Sequence, residues 1–204
     1  MKRFCLWCAV LLVPVLAACH INLVPPTDFT EPRTFDLVSP TPFADLPFTV
    51  EVDIFSNECS GRYKMVFREK GNQIDIDEYN RWSMPPASML TKYLAARFAA
   101  PPSAKNRTEK PVFELDGSVL TCELNKEEMN VNLMIHYSVA EPNGEAFKIT
   151  GTEDYRIPVQ EVSAEAFAEG MNAAAAKFAD QIVLVISNEL KARTAEAKDA
   201  GQKK

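Results

Sequence analysis

Apolar and polar side chains alternate along residues 48–55, which is the spacing of a β-strand with one buried face. The side chains predicted to point inward in this strand are Phe48, Val50, Val52 and Ile54. A shorter segment at residues 34–39 predicts a first strand. Pro40 and Pro42 end that strand, because proline has no amide to donate to a sheet ladder.

Two further alternating segments predict a β-hairpin, with strands at residues 62–69 and 73–79 joined by a turn at Gly71. The side chains predicted to face the core are Tyr63, Met65, Phe67, Ile74 and Ile76. Asp75 and Asp77 alternate with the two isoleucines, so the same pattern predicts that both aspartates lie on a solvated outer face.

Three longer strands are predicted at residues 111–124, 128–140 and 144–157, with a turn at residues 141–144 between the last two. Gly117 interrupts the first of these strands and is a candidate position for a bulge. One face of the middle strand is predicted to be apolar throughout, with Val131, Leu133, Ile135, Tyr137 and Val139.

Two segments have the periodicity of amphipathic helices. Residues 87–99 place an apolar side chain at every fourth position, with Leu90, Leu94 and Phe98. A second helix is predicted from a cap at Ser163 to about Leu190. Its apolar stripe contains Phe167, Met171, Ala174, Phe178, Ile182, Val185 or Ile186, and Leu190.

Together these elements predict a single α+β domain over residues 34–191. We expect a mostly antiparallel β-sheet packed against two α-helices, of which the longer is C-terminal. The charged residues 192–204 are predicted to form a flexible tail.

The N-terminus has the layout of a secretory signal. Two basic residues precede an apolar run at residues 4–16, which is shorter than the roughly 20 apolar residues that a membrane-spanning helix needs. The run closes with Leu16-Ala17-Ala18-Cys19, which resembles the lipobox of bacterial lipoproteins. The alternative is an ordinary secretion signal that leaves Cys19 free.

The lipobox resemblance implies that residues 1–18 are a cleaved signal peptide and that Cys19 carries diacylglycerol and an N-terminal acyl chain such as palmitate. Two or three acyl chains anchor a domain stably. Residues 19–33 contain three prolines and are predicted to be an extended tether. His20 follows the cysteine in place of the aspartate that retains enteric lipoproteins in the inner membrane. We therefore expect an outer-membrane lipoprotein that faces the periplasm, with the inner membrane as the alternative.

Charge and histidine content exclude several function classes. Without residues 1–18 the chain has 20 basic and 28 acidic residues, and this acidic balance disfavours nucleic-acid binding. His20 and His136 are the only histidines, and no nucleophile or phosphate-binding motif accompanies them. We expect no enzyme activity, no cofactor and no metal. A hydrolase that uses Asp75 or Asp77 is a remote alternative.

Two cysteines, Cys59 and Cys122, remain after the signal peptide and the lipidated cysteine are set aside. In an oxidising periplasm such a pair predicts a disulfide. The alternative is two separate buried thiols.

A family resemblance is carried by Tyr79-Asn80-Arg81-Trp82-Ser83-Met84-Pro85-Pro86 and the helix after it. This segment resembles the signature of the ABC-type transport auxiliary lipoproteins, the outer-membrane partners of Mce-domain transporters, including the paraquat-inducible type. The order of predicted strands and helices agrees with that family. Phe35 stands where the family more often has tyrosine, and the cysteine pair is not part of its pattern.

The resemblance implies a non-enzymatic component of an Mce-type ABC transport system. It would dock the periplasmic Mce-domain protein, and through it an ABC permease and ATPase, at the outer membrane for lipid transport and membrane integrity. The sequence does not decide whether the chain forms a homo-oligomer. The alternative function is a lipoprotein that assists assembly of outer-membrane proteins or lipopolysaccharide.

Trp82, Pro85 and Pro86 are the candidates for partner contact, because tryptophan is enriched at binding hot spots. The alternative is that Trp82 is buried and fixes the helix to the hairpin.

Overall fold

The computed structural model describes residues 30–99, 110–142 and 147–202, with side chains described as far as Ala195. The predicted signal peptide, Cys19, His20 and the tether up to residue 29 lie outside the described residues. From Pro32 onward the chain belongs to one compact unit.

Within the residues that the structure describes, eight strands form one sheet. They are β1 (Arg33–Phe35), β2 (Thr49–Val52), β3 (Ser56–Asn57), β4 (Lys64–Arg68), β5 (Ile74–Trp82), β6 (Val112–Asn125), β7 (Asn130–Ala140) and β8 (Lys148–Pro158). Their order across the sheet is β1-β5-β4-β6-β7-β8, and β2 and β3 pair with the first half of β6.

The sheet is mixed, but its long pairings are antiparallel. Strands β6, β7 and β8 form a meander, and β4 pairs with β5 as a hairpin. Shorter parallel pairings join β2, β3 and β4 to β6, and β1 to β5. A parallel pair needs a crossover connection, and the helix α1 (Pro86–Arg97) lies in the one between the hairpin and β6.

The two helices of the described part of the chain cover the same face of the sheet, and α2 (Ala164–Gln202) is the longer. The start of α2 is capped as predicted, because the Ser163 hydroxyl accepts a hydrogen bond from the Ala166 amide at 3.1 Å. Its fully buried stripe contains Phe167, Met171, Ala174, Phe178, Ile182 and Ile186, so the core takes Ile186 rather than Val185. The predicted α+β class is confirmed.

Strand β7 forms the floor of the core. Its five predicted inward residues, Val131, Leu133, Ile135, Tyr137 and Val139, are at most 3 % exposed. Burying each of the four aliphatic side chains among them contributes roughly 1.5–3 kcal/mol relative to an exposed position, so this strand contributes strongly to the inner face of the sheet.

The predicted orientation of Ile74 and Ile76 is wrong. These side chains are 38 % and 41 % exposed, on the face of the sheet that the helices do not cover. The cause is the register of the hairpin, in which Val66 pairs with Ile76 but Lys64 pairs with Arg81. The extra residues form a bulge in β5, and their odd number reverses which alternate positions point inward.

The predicted orientations of Ile54 and Tyr63 are also wrong. Ile54 is 85 % exposed and Tyr63 is 42 % exposed. Strand β2 ends at Val52, and the chain then bends before it pairs again as β3, so Phe55 takes the inward position instead.

Gly117 does not mark the bulge in β6, because the register shift lies between Val119 and Thr121. Instead Gly117 permits close contact: a Cβ there would lie 2.7 Å from the ring of Phe55 and 2.3 Å from the carbonyl oxygen of His136. The glycine therefore makes room for the Phe55 ring over β6.

Helix α2 continues to Gln202, well past Leu190, where the sequence predicted its end. Alanine, lysine, arginine and glutamate dominate this stretch and have high helix propensity. An i,i+4 hydrogen bond of 2.8 Å from Arg193 to Glu189 supports the first turn of the extension.

Candidate functional site

The family-like segment sits where the hairpin, both helices and β1 meet. The Trp82 side chain is 1 % exposed, and its ring meets the Phe167 ring edge to face with centroids 5.0 Å apart. The Trp82 amide donates to the Tyr63 carbonyl at 2.6 Å, and the Ser83 amide donates to the Phe35 carbonyl at 2.7 Å. Trp82 therefore ties the end of the hairpin to α2.

The structure does not support Trp82 and Pro86 as partner contacts, because both are buried. Pro85 is half-buried and occupies the N-cap of α1, with Pro86 at the first helical position. In place of a local side-chain cap, the Asn57 side-chain oxygen accepts a hydrogen bond from the Ala87 amide at 3.3 Å. The burial of Trp82 agrees with the alternative that the sequence left open for it, and Pro85 as a partner contact stays a prediction.

Asp77 organises the backbone just before this segment. Its carboxylate accepts hydrogen bonds from the Tyr79 amide and the Asn80 amide at 2.8 Å each, and from the Asn80 side chain at 2.7 Å. Partial burial works against ionisation, but these donors outweigh it and lower the pKa of Asp77. The carboxylate thus holds the bulge of β5 in shape.

Asp75 lies on the helix-covered side of the sheet, because it pairs with the inward-facing Phe67. Lys126 donates to Asp75 at 3.2 Å and also to Glu69, and the hydrogen bond to Glu69 raises the pKa of Lys126. The two aspartates line a cleft of about 390 Å³ at the start of α2. Both carboxylates already have structural partners there.

The two cysteines lie near each other beside β6. Asn57 pairs with Val119, and the Glu58 amide also bonds to the Val119 carbonyl, so Cys59 follows β6 toward Cys122. Both are free thiols in the structure, Cys59 half-buried and Cys122 only 4 % exposed. The predicted disulfide stays a prediction.

The environments of the two thiols differ. Cys122 lies under α2, with its sulfur 3.5 Å from the Met171 sulfur. Burial raises the pKa of Cys122 well above its ordinary value, and the nearby charge of Cys59 adds to that effect. Burial also raises the pKa of Cys59, against a hydrogen bond to Asn57.

The open face of the sheet is mostly polar. Arg68 donates to both carboxylate oxygens of the buried Glu123, at 2.5 and 2.7 Å, and this bidentate pair raises the pKa of Arg68. His136 lies exposed on the same face, with its Nδ1 atom 3.0 Å from the Thr152 hydroxyl.

Strand β8 forms the edge of the sheet next to β7, and its inner face is only half-covered. The inward positions are Ile149, Gly151, Glu153, Tyr155 and Ile157, and each is half-buried. Helix α2 lies over both β7 and β8: a Cβ on Gly170 would come within 2.5 Å of Val131 in β7, and the Tyr155 ring of β8 packs on Phe178 with centroids 6.4 Å apart. A groove of about 460 Å³ therefore remains between the end of β8 and the first turns of α2.

Sequence reasoning missed this groove. The alternation of residues 148–158 was visible, but periodicity does not show which strand ends up at an edge. The one available signal was Glu153, a charged residue at an inward position of an otherwise apolar face.

Within the described ranges no group of three histidine, cysteine or acidic side chains is placed to hold a metal ion. Of the helices that the structure describes, neither is long and apolar enough to cross a membrane.

The comparisons with known proteins identify a family through a family model and a fold through solved structures. A family model described as "ABC-type transport auxiliary lipoprotein component" matches residues 61–183. No curated protein matches the chain.

Two crystal structures share the fold. One, of an uncharacterized protein, is 14 % identical with a TM-score of 0.59, over 76 % of this chain and 99 % of the other. The second is protein XCC0632 from Xanthomonas campestris, of the DUF330 family model, 11 % identical with a TM-score of 0.59, over 79 % of this chain and 99 % of that one.

Proposed function

This chain belongs to the ABC-type transport auxiliary lipoprotein component family, and we propose from that membership that it serves a transporter through binding rather than catalysis. The family match is the observation that carries the proposal. It covers the hairpin, the Trp82 segment, the meander and most of the buried part of α2.

The distribution of side chains supports a binding role. The aspartates proposed for a hydrolase both have structural partners, Asp75 through Lys126 and Asp77 through Asn80. The buried Glu123 on the open face accepts two hydrogen bonds from the half-buried Arg68. We therefore propose that the exposed surface of the fold is the part that contacts another molecule.

The specific role that we propose is attachment of a periplasmic Mce-domain protein, with its ABC permease and ATPase, to the outer membrane for lipid transport. The lipobox at Leu16-Ala17-Ala18-Cys19 supplies the membrane anchor in this proposal. The prolines between Cys19 and Arg33 would hold the domain away from the bilayer, since proline-rich chains are extended.

The test is affinity purification of the lipidated protein from envelopes in mild detergent, followed by identification of the proteins recovered with it. We expect an Mce-domain protein with its permease or ATPase. The matched control is an unrelated outer-membrane lipoprotein with the same tag. Recovery of assembly factors for outer-membrane proteins or lipopolysaccharide, or of no specific protein, would overturn the Mce proposal.

A further inference from the structure

The edge of the sheet at β8 is a regular strand with an unused row of hydrogen-bonding groups. Strand β8 pairs with β7 over its whole length without a register shift. Among the described residues no strand pairs with its other side. Long regular edges of this kind can accept a further strand from another chain.

The hydrogen-bonding pattern between β7 and β8 identifies which backbone groups of β8 point to the open edge. The Glu141 amide bonds to the Phe147 carbonyl, and the Val159 amide bonds to the Met129 carbonyl. Hydrogen-bonded pairs recur at every second residue, so the odd-numbered residues of β8 bond to β7. The amides directed to the open edge are those of Lys148, Thr150, Thr152, Asp154 and Arg156.

The edge has a defined end. Pro158 is the next residue in the same phase, and it has no amide to donate. An added strand would therefore find its last backbone donor at Arg156, beside the groove under α2.

The groove beside this edge favours positively charged side chains. Its floor contains Ile157, Val159, Ala166, Gly170 and Ala173, and its rim carries Glu161, Glu165 and Glu169. Glu165 is paired with Arg33, but neither Glu169 nor the inward-facing Glu153 forms an ion pair within the described residues. Glu169 therefore presents an unpaired carboxylate at the groove, and Glu153 presents a second one farther along the inner face of β8.

Tyr155 follows Glu153 on the inner face of β8, and its ring packs on Phe178 of α2 with centroids 6.4 Å apart. Its hydroxyl is buried and has no hydrogen-bond partner among the described residues. Burial raises the pKa of Tyr155, and the charge of Glu153 adds to that effect, so the two groups are close. The Glu153 carboxylate therefore lies on the helix-covered side of β8, beside the core.

We propose that the free edge of β8 and the acidic groove beside it form a strand-addition site for an extended, positively charged segment of a partner protein. The partner's backbone would pair with the even-numbered residues of β8. Alternate side chains would lie over the inner face of β8, where lysine or arginine would meet Glu153 and, at the groove, Glu169, and apolar residues would meet Ile157. The site does not depend on which transporter the chain serves.

Glu153 is also suited to a second role, protection of the strand edge, and the experiment must distinguish this role from recognition of a partner. Inward-pointing charges also protect edge strands against non-specific pairing. A purely protective Glu153 would exclude every strand, whereas a recognition residue would admit basic strands and reject acidic ones.

The probe is a labelled ten-residue peptide in which threonine alternates with lysine and valine, compared with the same peptide in which glutamate replaces lysine. Binding to the full lipidated chain in detergent micelles is measured by fluorescence anisotropy. We expect the lysine peptide to bind at least about tenfold more tightly than the glutamate peptide, the effect of about one well-placed charge pair.

Two variants test the geometry. Thr152→Pro removes an edge-directed amide without removing a bond to β7, and Thr152→Val is the matched control that keeps the amide. We expect Thr152→Pro to abolish binding of the lysine peptide and Thr152→Val to leave it unchanged. Hydrogen exchange should slow at the even-numbered amides of β8 when the peptide is added.

Glu153→Lys keeps the proposal testable if Thr152→Pro does not fold, and it should reverse the preference between the two peptides. Equal binding of both peptides, binding that Thr152→Pro and Thr152→Val affect alike, or no binding of either would overturn the proposal.

Discussion

Trp82 and Phe167 meet edge to face, with ring centroids 5.0 Å apart and an interplanar angle of 80°. Trp82 ends β5 and Phe167 lies in the first turns of α2, so the contact joins the two halves of the matched family region. Phe67, on the other strand of the hairpin, also packs on Phe167, with ring centroids 5.7 Å apart. The tryptophan of the family-like segment is therefore a packing residue.

Replacing Trp82 tests that role. Trp82→Ala would leave a large cavity, and we expect it to lower the free energy of unfolding by about 3–5 kcal/mol. Trp82→Phe keeps an aromatic ring and should cost clearly less. The unfolding free energies of both variants are measured by urea or thermal unfolding of the purified full-length chain. A near-neutral Trp82→Ala would show that the packing seen here does not stabilise the fold.

The fate of Trp82 shows what the sequence could and could not predict. The Tyr79–Pro86 segment was recognisable, but the burial of one aromatic residue depends on where α2 docks, and no local pattern encodes that position. Long regular elements were predictable, because β7 and α2 carry sustained periodicity. The orientation of Ile74 and Ile76 was not, since a bulge of odd length in β5 reverses the pattern without leaving a signal such as glycine.

The candidate site was predictable to a smaller degree than the fold. Which strand lies at an edge, and how far a helix covers it, are properties of the assembled sheet. The close approach of α2 to Val131 depends on Gly170, because a Cβ there would come within 2.5 Å of the valine. That glycine is one small residue in an alanine-rich helix, so its role was invisible in the sequence.

Stability should fall in acid partly through Asp77. Hydrogen bonds from Asn80 and two backbone amides outweigh partial burial and lower its folded pKa. A carboxyl whose pKa is lowered by folding stabilises the protein above its unfolded pKa, near 3.9 for aspartate, and loses that contribution as pH falls through the folded value.

We therefore expect the difference in unfolding free energy between wild type and Asp77→Asn to be largest above about pH 5 and to shrink toward pH 2. The measurement is urea unfolding across that range. Asp154→Asn is a control at an aspartate with a single exposed partner, Arg156, at 3.3 Å. A difference at Asp77 that is independent of pH would show that its ionisation does not contribute.

The Arg68–Glu123 pair should matter more than an ordinary surface ion pair. The Glu123 side chain is 8 % exposed and the Arg68 side chain 31 %, so removing one partner leaves a poorly solvated charge. We expect Arg68→Ala to cost about 2–4 kcal/mol, below the full range for completely buried pairs. The double variant Arg68→Ala, Glu123→Ala should recover part of that loss, and strict additivity in the cycle would contradict direct coupling.

The cysteines should be oxidised in protein isolated from the periplasmic side of the envelope. Alkylation of the unfolded protein should label neither Cys59 nor Cys122 before reduction and both after it, which mass spectrometry detects. The Cys59→Ser variant should then lose stability, by on the order of 4 kcal/mol in the chain-entropy model. Labelling of both thiols without reduction would show that they function as separate cysteines.

Membrane sorting should depend on the residue after the lipidated cysteine. If Cys19 is acylated and His20 permits release from the inner membrane, the wild-type protein should sediment with outer membranes in a density gradient. His20→Asp should move the protein to the inner membrane. His20→Asn should not, because asparagine is similar in size to aspartate but has no charge. Cys19→Ser removes the thiol that accepts the lipid, so that variant should fractionate without either membrane. Wild-type protein in the inner-membrane fraction would contradict the proposed attachment to the outer membrane. The chain would then contact the Mce-domain protein from the membrane that also holds the permease.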